Sequence, residues 1–296
     1  MMHLKKQLLT VFFILVIFAH VGARPLASDK MKPEELVAKH LAAIGPADAL
    51  ASIKSIIVVG DARAISRSNA VRDVVGVAQL ASEGEKVLFA MVFNSVSYPF
   101  EKAAYDGQKV TVALWTTGQR SDLEEFLLSQ DTIFRQGLFG GVLSSAWPLL
   151  NVEKNGLKLS YSGTKKLDER LVHEIKCAPR KGAGDLRISL FFDAETFQHV
   201  RTDYSYTVSA RMGSRPGDSV QGATTDTGSA TINHYKLTEE FSDFQTTEKL
   251  TLPHAYKLRL SIDAQRTQSL EWAVTFKQFA FNQQIGAGAF TVSASK

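Results

Sequence analysis

Across residues 185–211 apolar and polar side chains alternate with period two. Ile188, Leu190 and Phe192 fall on one face, with Arg187, Ser189 and Asp193 on the other. After Ala194-Glu195-Thr196 the alternation resumes, setting Val200, Tyr204, Tyr206 and Val208 against Arg201, Asp203, Ser205, Thr207 and Ser209. Successive side chains of a strand point to opposite faces. The pattern therefore predicts a long antiparallel hairpin with one dry face, its link reversed by side-chain oxygens bonding nearby amides.

The same period recurs along most of the chain. Ile57, Val59 and Ile65 predict one strand and residues 71–80 its return; 87–93 (VLFAMVF) is apolar on both faces, as central strands are. Asp106-Gly107, between 103–105 and 110–115, is the strongest short hairpin signal. Further strands are predicted at 157–161, 171–177, 230–238, 245–251, 256–262 and 270–279, and 212–227 reads as a surface loop rich in Gly, Ser, Thr and Asp. Glu239-Glu240, between two of these strands, reads as a solvated strand end.

Helical spacing is confined to two places. Lys32-Pro33-Glu34-Glu35 opens a helix whose stripe is Leu36, Val37, His40, Leu41 and Ile44, stopped by Gly45-Pro46, and a shorter piece follows at 47–53. In mid-chain, Ser121 with Glu124 forms a capping pattern before the stripe Leu123, Phe126 and Leu127. Gly137-Leu138-Phe139-Gly140-Gly141 breaks it, and 142–150, with Trp147, predicts another helix ending near Pro148. Phe126, Leu127, Phe139 and Trp147 either simply cover one sheet face or form a lid that moves. Ten or more strands with a few helices make the chain α+β, helices set on an antiparallel sheet.

Composition changes this picture little. The chain is 45% hydrophobic and 22% charged with a formal charge of +4, so nothing calls for nucleic acid as a partner. Lys5 and Lys6, an apolar run to Ala19 and Val21-Gly22-Ala23 make a cleavable secretory signal over residues 1–23, with the run too short for the roughly 20 residues of a membrane span. Residues 24–31 then form a flexible tail and 32–296 one domain. No lipid-attachment cysteine follows the signal, which points to the periplasm or secretion; Cys177 is the only cysteine, so no intrachain disulfide forms.

Catalytic chemistry finds no carrier. No His-Glu-x-x-His run or Gly-x-Ser-x-Gly elbow occurs, and Gly-Ala-Gly at 182–184 and 286–288 lacks a phosphate-cradle setting. His173 and Cys177 read as a half-buried histidine and a core thiol. The expectation is therefore no enzyme, no metal and no cofactor. What stands out is a set of large apolar groups sharing the dry face: Phe89, Met91, Phe93, Leu190, Phe192, Tyr204, Tyr206, Trp272 and Phe276. They form either a packed core or the wall of a cavity for an apolar ligand.

The opening helix Glu35-Leu36-Val37-Ala38-Lys39-His40-Leu41-Ala42-Ala43-Ile44-Gly45, the run Ala49-Leu50-Ala51-Ser52-Ile53-Lys54-Ser55, and the turns Tyr105-Asp106-Gly107-Gln108-Lys109-Val110 and Phe192-Asp193-Ala194-Glu195-Thr196 resemble the LolA/LolB-like superfamily of periplasmic lipoprotein carriers, in its longer, lipoprotein-sorting type. The resemblance implies a strongly curved antiparallel sheet forming an incomplete β-barrel, helices covering its open, concave side, and an apolar cavity holding lipid or lipoprotein acyl chains. The Arg-Pro segment of family carriers is missing; the corresponding stretch reads Arg67-Ser68-Asn69-Ala70-Val71-Arg72. The expected function is thus an exported, non-catalytic carrier or binder of acyl chains. The alternatives are an envelope scaffold or stress sensor binding a protein partner, and an outer-membrane β-barrel.

Overall fold

The strands nearest the two ends of the described chain meet in the middle of the sheet. β1 (Ser55–Arg67) pairs antiparallel with both β2 (Val71–Glu83) and β12 (Thr267–Phe281). From β2 the sheet runs outward through β3 (Lys86–Phe93) and β4 (Phe100–Tyr105) to the short edge strand β5 (Val110–Val112). From β12 it runs through β11 (Leu250–Asp263), β10 (Thr231–Thr247), β9 (His199–Ala210), β8 (Arg187–Asp193) and β7 (Arg170–Ala178) to the other edge, β6 (Lys158–Leu167). The twelve strands form one antiparallel sheet that does not close into a barrel. This computed structural model describes residues 31–67, 71–115, 119–179, 184–210, 231–264 and 267–293. The expected signal, the tail up to residue 30 and the 212–227 loop lie outside them.

Alternation turns one face of this sheet inward. Val87, Phe89, Met91 and Phe93 of β3, Ile188, Leu190 and Phe192 of β8, and Trp272, Val274 and Phe276 of β12 are all buried in one apolar core. Each large side chain so buried contributes about 1.5–3 kcal/mol, so this face is the main source of stability. Across the outer face run ion pairs such as Arg259–Glu271 and Arg201–Asp203.

The helices lie on the inner side. α1 (Pro33–Ile44) starts with Pro at its first turn and buries Leu36, Val37, His40 and Ile44; α2 (Ala47–Ser52) leads into β1. The rest of the covering comes from residues 119–157, within the stretch between edge strand β5 and edge strand β6. This cover contains α3 (Asp122–Ser129), α4 (Thr132–Arg135), 3₁₀ turns at Gly141–Leu143 and Pro148–Asn151, and α5 (Val152–Asn155). The helix expected over 142–150 is therefore two short turns. Pro148 has no amide proton to give a helix, and Gly140 and Gly141 enter with φ of 79° and 51°.

Three other sequence expectations change. The strand expected at 230–238 runs on to Thr247 as β10, passing Asp243 with φ of 52°, and the strand expected at 245–251 is cut by a turn at residues 248–249, so that Leu250 and Thr251 begin β11. Val200 leaves the inner face. The pairing shifts between Phe191 and Phe192, so Phe191 faces Arg201 while Phe192 faces His199. The residue left over, Val200, packs outward with Val172 and Phe191. Val208, expected on the dry face, is 41% exposed.

The cap at Ser121 is present as read. Ser121 Oγ accepts from Glu124 N at 3.0 Å and Glu124 Oε2 accepts from Ser121 N at 3.1 Å. Ser121 Oγ also donates to buried Glu101 at 2.5 Å. Ser121→Ala is expected to lower unfolding stability by about 1–2 kcal/mol, read from urea denaturation; an unchanged midpoint would show the cap to be dispensable.

Candidate functional site

The side chains expected to line a cavity do come together. Phe89, Met91, Phe93, Leu190, Phe192, Tyr204, Trp272 and Phe276 are buried in the common core, and Tyr206 is half-buried at its margin. The four expected cover residues belong to the same buried core. Phe139 packs edge-on against Phe89 at 4.9 Å and stacks on Phe134 at 4.9 Å; Phe126 lies 5.4 Å from Tyr206. Trp147 stacks on His199 at 4.8 Å, and Leu127 is fully buried.

Among the described residues the cover packs directly on the concave face. A crevice bounded by Ile44, Ile56, Val142, Trp147 and Leu252 admits about 10 Å³, barely one water molecule. A groove of about 980 Å³ lies elsewhere, on the outer side of the sheet among Arg170, Asp193, Arg201, Glu240 and Lys257. Its lining mixes these charged side chains with Leu167, Leu171, Val200 and Ala273.

Buried polar groups fasten the cover at three points. At its start, Glu101 accepts from Ser121 Oγ and from Tyr98 Oη, each at 2.5 Å, and Trp272 Nε1 donates to Tyr98 Oη at 2.7 Å. Glu124 Oε1 accepts from Lys102 N at 3.1 Å. In the middle, Glu239 Oε1 accepts from Gly140 N and from Tyr256 Oη, both at 2.8 Å, while Oε2 accepts from Tyr204 Oη at 2.7 Å. Nearby, Ser145 N donates to Ser82 Oγ at 2.8 Å. At the far end, Trp147 Nε1 donates to His40 Nε2 at 3.2 Å and His40 Nδ1 donates to the Phe197 carbonyl at 3.1 Å.

Glu239 overturns its sequence reading. It is fully buried at the centre of the concave face, not at a solvated strand end. It alternates with Leu237 and Phe241, both buried, and this alternation was the signal that could have found it. The two tyrosine hydroxyls that make the position tolerable come from β9 and β11, far away in sequence. His40 was visible only as a member of a helical stripe. His173 is half-buried, bonded to Tyr161 Oη at 2.9 Å, and Cys177 is buried, its thiol pushed up to about 12 by desolvation.

Burial sets the protonation of all these groups. Desolvation raises Glu239 to about 7 against the pull of its three hydrogen-bond donors. Desolvation, then the neighbouring Glu124 charge, raises Glu101 to about 8, and desolvation raises Glu124 to about 7. His40 is lowered to about 4 by burial, and His199 falls well below its ordinary value through burial and the nearby His40. The fastenings therefore hold neutral histidines and, in mildly acid solution, protonated carboxyls. No group of three or more metal-ligating side chains occurs among the described residues.

Neither a family model nor a curated protein matches the sequence. Among solved structures the chain is similar to a LolA superfamily protein from Nitrosomonas europaea, with a TM-score of 0.45 and 10% identity over 88% of this chain and 98% of that one. It is also similar to a putative outer membrane lipoprotein-sorting protein domain from Vibrio parahaemolyticus, with a TM-score of 0.41 and 10% identity over 87% and 95%. A DUF1329 family protein from Desulfovibrio piger gives 0.41 and 9% over 86% and 95%.

The sign of the pH dependence follows from these shifts. Carboxyls whose folded values are raised stabilise the fold fully below the ordinary glutamate value of 4.5, and that stabilisation is lost as pH rises through about 7 and 8. The lowered histidines act in the opposite sense, but only below their ordinary value of 6.5. Stability measured by urea denaturation should therefore fall between pH 6.5 and about 8, and Glu239→Gln should reduce the fall. A profile that is level or rising over that range would contradict the assignment.

Proposed function

We propose that the protein is an exported, non-catalytic carrier or binder of lipid acyl chains, which it shelters between the concave sheet face and a cover that yields to admit them. One observation carries this reading. A face built of large apolar side chains is closed by a single segment of short helices and turns, linking the two unjoined sheet edges and fastened by hydrogen bonds at three points.

Magnitudes favour exchange over rigid enclosure. Removing a chain of roughly sixteen carbons from water is worth about 0.8 kcal/mol per CH₂, or about 11 kcal/mol. Displacing Phe126, Leu127, Phe139 and Trp147 from the same face costs about 1.5–3 kcal/mol each. The two sums are of similar size, so a guest of this length offsets the displacement of these four side chains without being trapped. A domain over 32–296, preceded by a secretory signal, suits such a carrier in the periplasm or outside the cell.

The test is a staple. Ser82→Cys with Ser145→Cys, where Ser145 N already bonds Ser82 Oγ at 2.8 Å, would tie the cover to β2 on oxidation. Cys177 is buried and does not compete. Oxidised protein should lose most of its binding of a sixteen-carbon fluorescent fatty acid and regain it on reduction. Equal binding in both states would sink the moving-cover reading, and no binding in either, or in the wild type, would sink the carrier itself.

A further inference from the structure

The middle fastening sets Glu239, Tyr204 and Tyr256, a carboxyl and two hydroxyls, at the centre of the concave face, and His199, also fully buried, lies close by. His199 Nε2 meets Thr202 Oγ1 at 2.9 Å, but Nδ1 has no hydrogen-bond partner among the described residues. A buried orphan of this kind is costly and calls for an explanation.

The backbone of the cover lies over these groups. Gly140 N–H satisfies Glu239 at 2.8 Å. The next residue, Gly141, sits so close to His199 that a Cβ there would stand 2.9 Å from Nδ1 and 3.0 Å from Phe241 Cζ. Its φ of 51° also favours glycine. One peptide N–H thus meets the carboxylate, while the adjoining histidine nitrogen faces a CH₂ and is left unsatisfied. The cover fits this spot imperfectly.

We infer that Glu239, Tyr204, Tyr256 and His199 form a polar subsite for an amide-linked acyl chain, and that the Gly140–Gly141 backbone occupies it when no lipid is bound. This rests on the carrier reading above and names the lipid class. A secondary amide brings the N–H that Glu239 loses when Gly140 withdraws. With the His199 proton on Nδ1, and Thr202 Oγ1 donating to Nε2, it also brings a carbonyl for the orphan nitrogen. An ester offers the carbonyl without the donor. A plain hydrocarbon offers neither. Leaving one buried acceptor unmet reduces affinity by on the order of tenfold to a hundredfold.

The test compares two probes that differ in one atom, N-palmitoylglycine and the O-palmitoyl ester of glycolic acid, bound to the full chain. The amide should bind at least tenfold more tightly by calorimetry, and the Gly140 amide, protected in the free protein, should exchange rapidly in the complex. The preference should vanish in Glu239→Leu. If lone hydroxyls prevent that variant from folding, Glu239→Leu with Tyr204→Phe and Tyr256→Phe serves instead. Equal binding of both probes, or a Gly140 amide that stays protected, overturns the subsite while leaving the carrier standing. Failure of both probes to bind overturns the carrier and the subsite with it.

Discussion

The two edge strands of this sheet do not pair, and most of the architecture answers that constraint. A closed barrel would hide its inner face with its own strands. Here the inner face must be covered by something else, and the segment that leaves β5 to reach β6 has to cross the gap in any case. Making the crossing segment the cover solves connection and burial together. It also means that the covering piece is held by the chain at both ends, one at each edge of the sheet.

How the cover is held then matters more than what it buries. Apolar contacts are non-directional and tolerate sliding, so alone they would leave the cover loosely placed. Hydrogen bonds to Glu101, Glu239 and His40 fix its start, middle and end. Buried carboxyls cost desolvation energy, and here each is offset by two or more donors, tyrosine or serine hydroxyls among them. Replacing them with leucine would give a plainer core. The retained polarity trades some stability for a defined docking position.

Much of this was legible in the sequence because period-two alternation survives in almost every strand. The hairpin over 185–211, the inward set from Phe89 to Phe276 and the Ser121 cap all follow from local pattern. Local pattern fails where the backbone departs from regularity. The bulge beside Phe192 sends Val200 outward, and the left-handed Gly140 and Gly141 turn an expected helix into short turns. It fails again where a residue's meaning depends on distant partners. Glu239 shares the inward alternation of Leu237 and Phe241, but what makes a carboxyl tolerable there is the convergence of Tyr204 and Tyr256 on it. No reading of β10 alone could supply two hydroxyls from β9 and β11.

The pairing of β1 with β12 has a bearing on how this molecule comes into being. The central seam joins strands from opposite ends of the described chain, which makes it among the last contacts available to a polypeptide emerging in order. Such non-local pairing is intrinsically slow. Until it forms, the first five strands have a free edge at β1, and an unpaired edge is prone to sticking to other chains. Trp272 of β12 also reaches Tyr98, and through it Glu101 and the start of the cover. The last strand to arrive therefore both seals the seam and completes the first fastening, so assembly has a vulnerable interval during which a holding chaperone would be of most use.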